Sequence, residues 1–168
     1  MTRAGVVRIA AATEGDLPVI LELIQSLAAY ERLEHEVVAT PERLRDSLFG
    51  ARAAAEAVIA YVDDDPVGFA VWFQNYSTFL GRAGLYLEDL FVKPERRGQG
   101  IGRTLLAHVA GVAVARGAGR MEWSVLDWNA PAIGFYRAIG AVPMNEWTVY
   151  RLTGDRLKRL ATEATKTD

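Results

Sequence analysis

The stretch from Leu85 to Gly119 constrains the fold of this chain more than any other. An apolar run, Leu85–Val92, is followed by Lys93-Pro94-Glu95 and then by a glycine-rich turn, Arg97-Gly98-Gln99-Gly100-Ile101-Gly102. Ile101, Leu105, Leu106, Val109 and Val112 then recur at three- and four-residue steps, which predicts a helix over Gly100–Arg116 closed by Gly117 and Gly119. A strand that delivers the chain through glycines into a helix start creates an anion site. The first amides of the helix have no intrahelical acceptor, and they sit at the positive end of its dipole. Glycines at alternate positions let a bulky phosphate reach those amides with no Cβ in the way. The turn is not a Walker loop, because no Gly-Lys-Ser/Thr follows. G-x-G-x-x-G is absent too, and the site lies mid-chain rather than after a first strand, which argues against a dinucleotide fold.

The flanking segments predict a mixed α/β architecture. Val6–Ala12 has strand composition. Leu17, Ile20, Leu21, Ile24, Leu27 and Ala28 follow at helical spacing, and that helix ends around Tyr30–Leu33. Thr40-Pro41-Glu42-Arg43 starts a second helix, with threonine as cap and proline in the first turn, and Gly50 stops it. Glu56–Val62 and Val67–Gln74 are expected as strands joined by the turn cluster Asp63-Asp64-Asp65-Pro66, with Asn75–Gly84 as a loop. Arg120–Leu126 is expected as a strand, Asn129–Ile139 as a helix, Ala141–Leu152 as a last strand and Thr153–Ala161 as a short amphipathic helix. Ala164–Asp168 is expected as a frayed tail. Helices interleaved with strands beside a central hairpin indicate a mixed sheet in one domain, consistent with 168 residues.

Composition narrows the function. The net charge of −2 argues against a nucleic-acid protein acting through bulk charge. No cysteine is present, which removes disulfides, thiolate metal sites and cysteine nucleophiles, and two histidines (His35, His108) cannot build a histidine-rich metal site, so no metal is expected. No apolar run approaches a membrane span or a secretory signal, and the chain is expected to be cytoplasmic.

Charge is unevenly placed. Lys93, Arg96, Arg97, Arg103, Arg116 and Arg120 stand against Glu95 alone, whereas Glu14, Asp16, Glu22, Glu31, Glu34 and Glu36 stand against Arg32 alone. Solvated helix faces would give the same pattern, but it also suits a protein that holds a phosphorylated ligand and a cationic one. Glu88 and Asp89 interrupt an apolar strand, where acidic residues are poor formers. On a regular strand they point to opposite faces, unless the pairing ends there at an edge or a bulge. Asn129 precedes Ala130-Pro131 as a helix cap, and Tyr136 lies beside Phe135 on the same helix.

Four segments together resemble one family. R-G-Q-G-I-G (residues 97–102), L-A-A-Y-E-R (27–32), Y-L-E-D-L-F-V (86–92) and W-N-A-P-A-I-G-F-Y-R (128–137) resemble, in this order and spacing, GNAT-superfamily N-acetyltransferases of the diamine (spermidine/spermine) group. The resemblance spans about Val6 to Leu160. It implies the GNAT fold, a mixed and mostly antiparallel sheet flanked by helices, and acetyl transfer from acetyl-CoA directly to a primary amine of a small polycationic acceptor. It also implies a homodimer whose last strands pack or exchange.

The same resemblance assigns residues. The pantetheine arm would pair with the backbone around Leu90, Phe91 and Val92. The diphosphate would be held at Arg97, Gly98, Gln99, Gly100, Ile101, Gly102 and Arg103. Asn129 and Ala132 would also contact the co-substrate. Tyr136 would protonate the departing thiolate, and Glu88 would hold the ammonium and accept its proton through water. Tyr30 and Glu31 would line the acceptor channel, with Glu34 and Glu36 extending it. Glu122, Trp123 and Ser124 would approach the amine from the other side. After Gly140 the sequence departs from the family pattern, so Asn145 or Glu146 would have to supply an acidic contact there, and Ala138 and Ile139 replace basic residues. A thialysine-like amino acid, an aminoglycoside-type amine or a protein amino terminus is the alternative acceptor. A non-catalytic acyl-CoA-binding module would be expected to lose Glu88 and Tyr136, yet both are present.

Overall fold

The computed structural model describes residues 6–164, and the chain divides after Ser124 into two compact units. In the first, strands β1 (Val7–Ala11), β2 (Glu56–Val62), β3 (Asp65–Ser77), β4 (Arg82–Val92) and β5 (Met121–Trp123) form one sheet in that spatial order. The first three pairings are antiparallel and β4–β5 is parallel. Helices α1 (Leu17–Glu31), α2 (Pro41–Phe49) and α3 (Ile101–Ala115) complete the unit. This is the α/β arrangement expected, with a mixed sheet flanked by helices.

Alternation along β3 sets the two faces of the sheet. Phe69 and Val71 join Ile59, Phe91 and the α1 residues Ile20 and Leu23 in one buried cluster. Gly68 and Trp72 face the other way. A Cβ on Gly68 would stand 3.4 Å from Leu105 of α3, and the Trp72 ring lies 6.2 Å from that of His108. Helix α3 buries Ile101, Leu105, Leu106, Val109 and Ala113, the stripe that the 3.6-residue period predicts.

Local chemistry explains most boundaries. Thr40 caps α2 by accepting from the Arg43 amide, with Pro41 in the first turn. Asp63 and Asp64 take positive φ and form a two-residue hairpin between Val62 and Asp65, so Asp65 and Pro66 belong to β3 rather than to the turn. The expected loop over Asn75–Gly84 is mostly strand. Asn75, Tyr76 and Ser77 pair with Gly84, Ala83 and Arg82, and the Ser77 hydroxyl accepts from the Leu80 amide to close the connection. The strand expected over Arg120–Leu126 shortens to Met121–Trp123.

The second unit contains α4 (Ala130–Ala138) and α5 (Gly154–Ala161). Asn129 caps α4 through its side-chain oxygen, which accepts from the Ala132 amide at 3.3 Å. Gly140, at φ 89, ends that helix. The strand expected over Ala141–Leu152 does not form among the described residues. Its apolar residues resemble strand composition, but a strand requires a backbone partner, and this segment leaves Val142, Trp147, Val149 and Tyr150 exposed. Of the expected tail, residues 165–168 lie outside the described residues.

Candidate active site

Adjacent β3 residues Val71 and Trp72 pair with Asp89 and Leu87, which are two apart, so Glu88 is the extra residue of a β-bulge. The bulge suspends strict alternation, and Glu88 and Asp89 both line one cavity of about 560 Å³. Glu31 from the last turn of α1, Glu36 and Arg43 contribute the other charged groups, over an apolar wall that includes Leu27, Leu33 and Leu44. Burial raises the Glu31 carboxyl above its ordinary range. Asp89 is pushed up to about 6, first by burial and then by the charges of Glu88 and Glu31. Burial and like charge together disfavour the ionised form of Asp89, and a cation bound beside it would relieve that cost.

The bulge also marks where β4 loses a neighbour. Strand β5 pairs only with Leu85, Tyr86 and Leu87, which are matched to Met121, Glu122 and Trp123. From Glu88 to Val92, β4 therefore keeps β3 on one side and has no strand of the described residues on the other. An open strand edge of this kind, here at Leu90, Phe91 and Val92, is able to accept an extended ligand.

Beyond Val92 the chain makes a short 3₁₀ turn at Pro94–Arg96 and enters α3 through Gly98 (φ 75) and Gly100 (φ 81). A Cβ at either glycine would meet nothing within 4 Å, so these positions are glycine for backbone conformation, on an open face. Gly100 provides no side-chain cap, and the first intrahelical bond runs from Thr104 to Gly100, which leaves the amides of Ile101, Gly102 and Arg103 without a helical acceptor. The basic residues around this turn divide in two. Lys93, Arg96, Arg116 and Arg120 pair with Glu22, Asp65, Glu56 and Glu122. Arg97 and Arg103 form no ion pair among the described residues. Free amides, open glycines and two uncommitted cations fit a diphosphate.

The remaining expected site residues fall in distinct places. Tyr30 does not line the cavity; its ring lies under the Arg97 guanidinium, 4.0 Å from the centroid. Glu34 is exposed and outside the cavity lining as well. Glu122 is bound by Arg120 at 3.1 Å and accepts from Asn75 at 3.1 Å. Trp123 is half-buried, and the Ser124 hydroxyl lies 2.7 Å from that of Tyr86. In the second unit Tyr136 is half-buried beside Phe135, ring centroids 5.4 Å apart, Ala132 follows the cap in α4, and Glu146 is exposed in the segment after it. Two charged cavity residues are not singled out as site residues by sequence reasoning. Asp89 carries a signal, being half of an acidic pair in an apolar strand, whereas Arg43 carries none beyond its place in the first turn of α2. Among the described residues no group of side chains has metal-site composition, and no helix is long and apolar enough to cross a membrane.

A mixed sheet with a bulged, half-free strand that leads through glycines into a helix start is the fold this chain shares with acetyltransferases. The chain belongs to the acetyltransferase (GNAT) family, whose model matches residues 20–141, and it is an N-acetyltransferase. The family uses acetyl-CoA as co-substrate. Thialysine N-epsilon-acetyltransferase of Bos taurus is 39% identical, the match covering 92% of this chain and 97% of that protein. L-ornithine N5-acetyltransferase NATA1 of Arabidopsis thaliana is 34% identical, covering 91% and 87%. Among solved structures, an integron cassette protein from the mobile metagenome of V. cholerae superposes with a TM-score of 0.76 at 28% identity, covering 92% and 97%.

Proposed function

We propose that this enzyme acetylates a primary amine of a small, multiply cationic acceptor such as spermidine, spermine or a diamine, with both substrates bound together. The observation that carries this reading is the cavity in which Glu31, Glu88 and Asp89 converge, with Arg43 the single opposing cation among the described residues. Acetyl-CoA, when bound, supplies the acetyl thioester. The free amides at the start of α3, with Arg97 and Arg103, hold its diphosphate, and the open edge at Leu90–Val92 receives its pantetheine arm. A backbone N–H of that edge polarises the thioester carbonyl. Asn129 and Ala132 add contacts from α4.

The acceptor must lose a proton before its nitrogen can attack. Glu88, exposed at the bulge, takes that proton through water, while Glu31 and Asp89 hold the remaining positive charge. Tyr136 donates its phenolic proton to the departing thiolate as a general acid. The family match runs across the boundary at Ser124, which supports reading both units as one acetyltransferase domain. The exposed apolar residues of 142–152 support a homodimer.

A second acceptor, a thialysine-like amino acid, is favoured by two observations. The most similar relatives described above are named for amino-acid amines. Arg43 also places a cation on the cavity wall, where an α-carboxylate needs one. Acetyl-CoA-dependent thiol release across putrescine, spermidine, spermine, thialysine, lysine and an aminoglycoside tests both. Rapid turnover of spermidine or spermine supports the first reading, and turnover confined to amino acids replaces it with the second. No turnover, with acetyl-CoA still bound, overturns both.

A further inference from the structure

Two arginines stand side by side before the glycine turn, and the fold treats them differently. Arg96 is neutralised by Asp65 at 3.1 Å. Arg97 meets no carboxylate among the described residues. Three contacts hold it in place instead: its Nε donates to the Val92 carbonyl at 3.0 Å, and its guanidinium lies over the Tyr30 ring at 4.0 Å and toward the Phe91 ring at 5.7 Å. An aromatic face attracts a guanidinium without neutralising it, so the positive charge is fixed in direction and remains available to an anion. A carboxylate in place of Tyr30 would fix the same side chain and cancel its charge.

We propose that Tyr30 is a positioning residue for the acetyl-CoA turn: its ring holds Arg97 ready for the diphosphate. This rests on the reading that the glycine turn binds acetyl-CoA. Glu31, the next residue of α1, lines the acidic cavity, so the last turn of α1 serves both substrates, one through each of two consecutive side chains. The tyrosine hydroxyl is not needed for the stack, and the ring is.

Direct calorimetric binding of coenzyme A, without acceptor, tests the proposal on the full chain. Tyr30→Phe should bind as tightly as the wild type. Tyr30→Leu should bind about five- to tenfold more weakly, with the acceptor KM little changed. On an Arg97→Gln background, Tyr30→Leu should cause no further loss, because the ring would have nothing left to hold; a merely structural role would give additive losses. Unchanged coenzyme A affinity in Tyr30→Leu with a raised acceptor KM overturns the proposal, as does additivity with Arg97→Gln. Failure of the wild type to bind coenzyme A at all overturns the underlying reading and the proposal with it.

Discussion

Glu31 on α1 and Asp89 on β4 line the same cavity, and after burial and the charge of Glu88 the charge of Glu31 helps push the Asp89 carboxyl up to about 6. A cationic acceptor placed between them would reverse that effect. Below about pH 6 Asp89 is protonated in the free enzyme, and the acceptor loses one counter-charge. The acceptor KM of the wild type should therefore rise as pH falls from about 7 to about 5, and Asp89→Asn should flatten that dependence while raising KM above neutrality. Stability runs the opposite way. The folded state holds this proton more tightly than the unfolded chain, so the group costs stability once pH passes through the unfolded value, and the full cost is reached above about 6. Raising a carboxyl from 3.8 to about 6 corresponds to at most about 3 kcal/mol. Thermal melts should show Asp89→Asn above the wild type at about pH 8, with the gap closing near pH 4. Parallel melting curves at all pH values would refute the assignment.

Gly68 faces the backbone of the strand that carries the site. A Cβ there would stand 2.5 Å from the Phe91 carbonyl oxygen and 3.2 Å from the Val92 Cα, and neither backbone atom can yield without opening the β3–β4 ladder. Gly68→Ala should cost about 1–3 kcal/mol, read as a lower melting temperature. Because Val92 also accepts the Arg97 hydrogen bond, coenzyme A affinity should fall as well. A variant as stable as the wild type would show that the ladder gives way easily at this point.

The parts of this molecule that sequence foretold are those set by local chemistry. Thr40-Pro41 supplies a cap and a pre-set first turn, and the glycines before α3 select both its start and an open approach to its amides. The bulge at Glu88 depends on the register of β3 against β4, a non-local quantity, so the sequence announced an anomaly at Glu88-Asp89 without showing that both residues reach one cavity. Tyr30 illustrates the same limit, since its partner Arg97 is brought to it only by tertiary packing. The segment after Gly140 has strand composition and no strand, because apolar residues can favour extension without supplying a backbone partner.

Tyr136 sits half-buried in α4, and its neighbour Phe135 packs against its ring. Phenylalanine keeps that ring packing and removes the ionisable hydroxyl, and a melting curve of the variant separates chemistry from folding. Tyr136→Phe should lower kcat more than about tenfold, within the usual worth of a positioned acid, and leave coenzyme A affinity nearly unchanged. Equal loss of turnover and affinity would make the tyrosine structural.

Arg43 distinguishes the two acceptor readings. Among the described residues it is the only cation that lines the cavity, and its Nη1 donates to the Val38 carbonyl at 3.0 Å, which ties the side chain to the cavity wall. For a polyamine, Arg43 is a like charge, and Arg43→Gln should leave KM unchanged or lower it. For an amino acid, the same change removes the partner of the α-carboxylate and should raise KM about tenfold or more, within the range for a lost charged hydrogen bond. Matched pairs make the comparison internal: lysine against cadaverine and ornithine against putrescine differ only in the carboxylate. If Arg43→Gln shifts the preference within both pairs toward the diamine, Arg43 sets acceptor class. If both members of each pair change together, the arginine acts on the fold of the α2 turn, and selectivity must reside in the carboxylates.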